Sequence, residues 1–255
     1  MTAMTQARRL WRTSKQVVLN RSQPMAPEDQ AAWDDALALW SQLFEPFAPL
    51  VDGADILELG CGDGRLLAAL ARTGGARSAV GLERRAYWRG KGGGVAWSPA
   101  RFPELELHTD PDRLENLDDG VADLILAREL DAFLPLEGLE AGLDRLYGLL
   151  RPGGEMIARL RCCGPDSGMD GPGYGFMTPT AWVAQMLGAG FEIAAMRRVW
   201  RDQDDQTRAA TWLPEASDDE RLTAEIHLRM IRPWESWELD ALKDFGDQRR
   251  GGRTG

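Results

Sequence analysis

Apolar residues along this chain follow two rhythms. Between Pro27 and Leu50, Trp33, Leu37, Trp40, Phe44 and Phe47 recur at alternating steps of four and three, the spacing of one helix face. Pro27 suits a first helical turn, and Glu28 and Asp29 follow where the helix dipole favours anions. From residue 55 onward, short apolar runs alternate with helical ones. "DILELG" (55–60), "RSAVGLE" (77–83), "ELELHTD" (104–110), "ADLILAREL" (122–130) and "EMIARLR" (155–161) read as strands. "FEIAAMRRV" (191–199) and "AEIHLRMIR" (224–232) add two more. "RLLAALART" (65–73) reads as a helix stopped by Gly74 and Gly75, and "GLEAGLDRLYGLL" (138–150) as one ended by "RPGG" (151–154). Thr178 and Pro179 form a cap and first turn for "TAWVAQMLGAG".

Apolar strands spaced by helices predict an α/β fold: a doubly wound, mostly parallel, seven-stranded sheet with helices on both faces. The chain divides into a basic tail (1–27), an N-terminal helix packed on the core (28–50), the α/β domain (51–235) and a C-terminal tail (236–255). The acidic stretch 202–220 reads as a surface excursion. In such sheets, ligands bind beyond the carboxyl ends of the strands.

Composition narrows the partners. The 255 residues are 44% hydrophobic and 27% charged, an ordinary globular balance. The net charge of −10 repels nucleic acid phosphates and anionic membranes. No run approaches the ~20 apolar residues that cross a bilayer, and no secretory signal pattern opens the chain. Residues 1–27 carry Arg8, Arg9, Arg12, Lys15 and Arg21 without an acidic residue, and read as a solvated tail or a transit segment. Cys61, Cys162 and Cys163 have neither disulfide nor zinc spacing, which favours a reducing, cytoplasmic compartment. No metal site is expected. The two histidines, His108 and His227, fall inside strand-like stretches and read as satisfied strand residues.

The chemistry concentrates in "ILELGCGDGRLLAAL" (56–70). Gly60, Gly62 and Gly64 form G-x-G-x-G at a strand-to-helix corner, where glycine permits close approach of a ligand to the backbone. The dinucleotide fingerprint G-x-G-x-x-G would place its last glycine at Arg65, so a pyrophosphate cradle is incomplete and a nicotinamide oxidoreductase is disfavoured. No G-K-[ST] follows, which excludes a P-loop. Three acidic residues stand at successive strand ends instead. Glu83 closes the second strand, where a carboxylate can accept from both hydroxyls of a ribose. Asp110 closes the third, within reach of an exocyclic adenine amine. Glu58, two residues before Gly60, suits an ammonium or sulfonium group. Together they describe an adenosine carrying a cation.

On these residues the chain resembles the class I S-adenosylmethionine-dependent methyltransferases, a Rossmann-like family. "ELGCGDG" matches the family's E-x-G-x-G-x-G, "VGLE" its acidic second-strand end and "HTDP" its third-strand acid. "ADLILARELDAFLP" and "GLLRPGGEMIARL" match its fourth strand, following helix and turn into strand five. The resemblance spans roughly residues 50–232. It implies S-adenosylmethionine as cofactor, with Glu58, Gly60, Cys61 and Gly62 lining the methionyl end and Glu83 holding the ribose. It further implies that Asp110 and Pro111 frame the adenine, and that Ala127 and Arg128 face the reactive side.

The acceptor is less constrained. Family members with small acceptors often carry a histidine just after strand four, where this chain reads "LDAF". Asp131 is therefore the candidate general base, its alternatives being a helix cap or a surface ion pair. The N-P-P-[YF] motif of many adenine and glutamine N-methyltransferases is absent, since strand four ends "AREL". The expectation is methyl transfer to an oxygen or nitrogen of a small molecule. The alternative is a catalytically silent, cofactor-binding partner subunit. The glycine-rich loop 162–177 and the N-terminal tryptophans could shape the acceptor pocket. Nothing in the sequence assigns an oligomeric state.

Overall fold

The computed structural model describes residues 51–62, 64–72, 75–83, 105–108, 113–127, 130–134, 138–162, 177–201, 207–209, 223–236 and 238. The predicted tail 1–27 and helix 28–50, together with Asp110, Pro111 and Arg128, lie outside them. Five strands, β1 (Asp55–Leu59), β2 (Ser78–Leu82), β3 (Leu105–His108), β4 (Ala122–Ala127) and β5 (Leu150–Arg161), run parallel. Three more, β6 (Glu192–Arg201), β7 (Thr207–Ala209) and β8 (Thr223–Ile231), complete an eight-stranded sheet of order β3-β2-β1-β4-β5-β8-β6-β7. Strand β8 is antiparallel to both β5 and β6. The seven predicted strands are present. The eighth is the three-residue β7, which pairs antiparallel along the outer edge of β6, within the stretch expected to be only a surface excursion. Three residues are too few to carry a readable alternation, and their pairing comes from the neighbouring strand.

Among the described residues, four helices accompany the strands: α1 (Arg65–Arg72), the short α2 (Leu130–Phe133), α3 (Leu139–Leu149) and α4 (Pro179–Gly188). The alternating strand pattern sorts apolar side chains onto two faces and so creates two cores. On one face, Leu66, Leu67 and Leu70 of α1 pack with Ile56, Ala79, Leu105, Leu124 and Leu126. On the other, Leu139, Leu143 and Leu146 of α3 and Trp182 and Met186 of α4 pack with Leu57, Leu59, Ile125, Met156 and Leu228. Burial on both faces explains why strands such as β1 and β4 read as nearly continuous apolar runs. Thr178 caps α4 as expected, its Oγ1 accepting from the Ala181 N–H at 3.2 Å, with Pro179 in the first turn.

The "RPGG" turn does more than end α3. Leu150 pairs with Ala122, whereas Leu124 pairs with Glu155, so residues 151–154 loop out of the ladder between the two contacts. The Gly153 N–H donates to Arg232 O at 2.8 Å, and a Cβ on Gly153 would lie 2.6 Å from Trp234 Nε1.

At the amino ends of the strands, Asp55 gathers β1, β2, β4 and β5. Its carboxylate accepts from Arg77 Nε at 2.8 Å, Ser78 Oγ at 2.6 Å and Arg151 Nη2 at 2.7 Å. Arg77 and Arg151 also reach Asp123, whose Oδ2 accepts the Asp55 N–H at 2.8 Å. Burial alone would raise the Asp55 pKa, but the hydrogen bonds from Arg77, Ser78 and Arg151 outweigh it and hold it below the ordinary 3.8. A depressed carboxylate stabilises the fold above its unfolded-state pKa, and the contribution disappears as pH falls through the lower, folded-state value. Asp55→Ala removes one of the two carboxylates that Arg77 and Arg151 share and is expected to cost about 1.5–3 kcal/mol near neutral pH. Thermal unfolding of parent and variant checks this. The gap between them should shrink as pH is lowered from neutral to about 3.

Candidate active site

One level of residues crosses the sheet at its carboxyl edge: His108, Leu82, Leu59, Ala127 and Ala158 stand in register on β3, β2, β1, β4 and β5. The β1–α1 turn begins immediately above this level. Gly60, Gly62 and Gly64 all adopt left-handed backbone, at φ values of 70°, 59° and 75°. Side chains beyond Cα make that conformation costly, so the three glycines are required by the turn itself. The turn is tied to β2: Gly60 and Cys61 both donate to Leu82 O, at 2.8 and 3.2 Å. The Gly64 N–H returns to Cys61 O at 3.0 Å, and the Ala68 N–H to Gly64 O at 2.9 Å, which starts α1.

Glu83 and Gly62 meet directly. Oε2 of Glu83 accepts the Gly62 N–H at 2.9 Å, so the carboxylate at the end of β2 leans over the glycine turn. A bond between a peptide N–H and a carboxylate is about twice as strong as a neutral one. Glu83 is 9% exposed, and its own N–H donates to His108 O at 2.9 Å, which joins the end of β3 to the same assembly. Glu58 is fully buried on the α1 face, level with Gly81 of β2 and Leu126 of β4.

The structure therefore brings Glu58, Gly60, Cys61, Gly62, Glu83 and Ala127 to one edge of the sheet. Cys61 is fully buried with its side chain directed at β2, so only its backbone is available to face a ligand. Asp131 lies in α2, which begins three residues past the end of β4, at the same edge. Asp110, Pro111 and Arg128 are outside the described residues. So is most of the predicted 162–177 loop, but Cys162 and Met177 form an isolated parallel bridge that closes its base. Both histidines behave as expected of strand residues. His108 Nε2 lies 2.6 Å from Glu106 Oε1, and His227, 1% exposed, has its Nε2 3.0 Å from Glu225 Oε1. Burial raises the Glu225 pKa, but the contacts from His227 and Arg159 bring the net shift below its ordinary value. No cluster of potential metal ligands occurs among the described residues.

Residues 57–158 match a family model described as a methyltransferase domain. Over those residues, less than half of its length, the chain is similar to methyltransferase domains. Solved structures share its fold. A Burkholderia thailandensis 1,6-didemethyltoxoflavin-N1-methyltransferase, solved with that substrate and S-adenosylhomocysteine, is 16% identical, with 84% of this chain and 93% of that one covered at a TM-score of 0.50. A methyltransferase from Archaeoglobus fulgidus is 12% identical over 77% and 94% of the two chains, at a TM-score of 0.52. The [4+2]-cyclase SpnF is 17% identical over 77% and 83%, at a TM-score of 0.54, so the fold also serves a protein named for another reaction. A search of curated proteins gives no match.

The site at this sheet edge fits S-adenosylmethionine. A Cβ on Gly60 would meet no heavy atom within 4 Å, which leaves open space against the backbone of the turn. Carboxylates stand at the ends of both β1 and β2, matching a ligand that is cationic at one part and carries a ribose diol at another. The missing third glycine of the dinucleotide fingerprint is Arg65, the first residue of α1.

Proposed function

We propose that this enzyme transfers a methyl group to an oxygen or nitrogen of a small-molecule acceptor, with Asp131 as the general base. The observation that carries the reading is the position of α2. It follows β4 within three residues and sets Asp131 at the same sheet edge as Glu58, Gly62 and Glu83. A base is needed when the acceptor is a phenol, an alcohol or a protonated amine, because the attacking atom must lose a proton. His227 is sealed in the sheet beside Glu225 and is poorly placed for that task.

S-adenosylmethionine supplies a methyl group on a cationic sulfur, an activated donor with a good leaving group. The chain's contribution is chiefly alignment, worth up to ~7–11 kcal/mol when reacting atoms are held in line. Glu58 offers a buried carboxyl group to the cationic methionyl end. Glu83 accepts from the ribose hydroxyls, oriented for that by the Gly62 N–H on Oε2. Asp110 and Pro111 frame the adenine, and Ala127 and Arg128 border the acceptor. Asp131 takes the acceptor proton as the new bond forms. Net negative charge disfavours a nucleic acid acceptor. The free cysteines Cys61 and Cys162 suit the cytoplasm. No described helix is long and apolar enough to cross a membrane.

Turnover on a panel of phenols, amines and carboxylates tests the proposal. The expected result is S-adenosylhomocysteine formed in step with an O- or N-methylated product. Cofactor binding with methylation only at carbon, or only on macromolecules, would contradict it.

A further inference from the structure

Gly81 sits inside a strand paired on both sides, where a glycine is unexpected. It lies in β2, in register with Glu58 on β1 and Leu107 on β3, and strand interiors ordinarily disfavour glycine. Its backbone needs no left-handed conformation, since it is not among the positive-φ glycines. The reason is space. A Cβ at Gly81 would lie 2.7 Å from Cys61 Sγ, 3.0 Å from Cys61 Cβ and 2.7 Å from Leu107 Cδ2. The same leucine also supports the turn from below: a Cβ at Gly64 would lie 2.9 Å from Leu107 Cδ1 and 3.1 Å from Cδ2.

Cys61 is thus a wedge set into the notch that Gly81 leaves, and Leu107 closes that notch from β3 while touching the turn again at Gly64. Cys61 stands between the left-handed Gly60 and Gly62, so its side-chain position and the path of the turn are one constraint. The Leu107 branch tips could swing aside, but the Cys61 Cβ is fixed to the turn and can move only with it. Pressure at Gly81 is therefore delivered to Gly60 and Gly62, the two glycines that flank Cys61.

We propose that Gly81 and Leu107 are positioning residues for the cofactor turn. They act through Cys61 and Gly64 and do not themselves touch the ligand. This rests on the glycine turn being the S-adenosylmethionine site. It also changes the part given to Cys61, whose side chain keys the turn to the sheet beneath it.

The test is a cycle of variants read by calorimetric binding of S-adenosylhomocysteine, with thermal unfolding to confirm the fold. Gly81→Ala is expected to weaken binding about tenfold, the equivalent of overpacking by one methyl group. Adding Cys61→Ala to Gly81→Ala removes the sulfur, the nearer Cys61 atom at 2.7 Å, and leaves the Cβ at 3.0 Å, so the double variant should recover part of the loss and bind at least about threefold more tightly than Gly81→Ala alone. A merely destabilising pair would not recover. A double variant as weak as Gly81→Ala, or weaker, overturns the inference. Leu107→Ala only removes atoms and gives an independent reading should Gly81→Ala not fold. It is expected to weaken binding by at least about threefold through loss of support at Gly64. Unchanged affinity in that variant would also overturn the inference. Failure of the parent protein to bind S-adenosylhomocysteine would instead contradict the site itself, and the inference with it.

Discussion

Gly62→Val is expected to weaken S-adenosylhomocysteine binding by at least about a hundredfold while the protein stays folded. Gly62 holds a φ of 59°, a region where a β-branched residue costs about 1–3 kcal/mol. Its N–H also donates to Glu83, a hydrogen bond to a charged group worth about 1.5–3 kcal/mol. The free variant can relax its turn and avoid both costs. Binding must then restore the turn, so the penalty falls on affinity. The lower bound follows from about 2.7 kcal/mol, or two powers of ten. Gly62 contributes no side chain to either core, so the thermal midpoint should fall only modestly. Calorimetric titration beside a melting curve measures both. Parent-like affinity in a folded variant would move the ligand away from this turn.

The second large effect is expected at Asp131. Asp131→Asn keeps the shape of the side chain and removes its ability to take a proton. General-base catalysis contributes about 10²–10⁴ in rate, so kcat should fall by that order on an acceptor that must be deprotonated. Affinity for S-adenosylhomocysteine should stay within about threefold, because the change is made only in the transition state. An acceptor already ionised at the assay pH should lose far less, and the acidic limb of the pH–rate profile should vanish in the variant. An equal loss on ionised and neutral acceptors would reassign Asp131 to a structural role, as a cap or an ion-pair partner.

Much of the fold can be read along the chain because the elements announce themselves locally. Strands β1 to β6 and β8 carry apolar runs or apolar–polar alternations, and α1, α3 and α4 carry recognisable starts or stops. Contacts set by register are invisible in the same reading. Asp55 and Arg151 are 96 residues apart and meet only because β1, β4 and β5 are neighbours in the sheet. Glu83 and Gly62 are both apparent as site residues, but the bond between them depends on the register that sets Leu82 beside Leu59. The antiparallel setting of β8 is likewise a matter of which strand edges meet. Cys61 is the sharpest case. Its place inside the glycine motif suggested a residue lining the cofactor. The direction of its side chain, toward the gap at Gly81, is decided by a residue 20 positions later on another strand.

Function is legible to a matching depth. The cofactor follows from the glycine spacing with Glu58 and Glu83, because those groups answer the shape and charge of the donor. The acceptor pocket draws on segments that carry no comparable pattern, so the choice of an oxygen or nitrogen acceptor rests on Asp131 and on the absence of N-P-P-[YF].

The most direct test of the cofactor assignment is thermal unfolding of the purified protein with S-adenosylmethionine, S-adenosylhomocysteine or NAD in turn. A ligand present at about 100 times its dissociation constant adds about 2.7 kcal/mol to the stability of the state that binds it. The expected result is a clear rise in midpoint with S-adenosylmethionine and S-adenosylhomocysteine and none with NAD. A rise with NAD alone would contradict it.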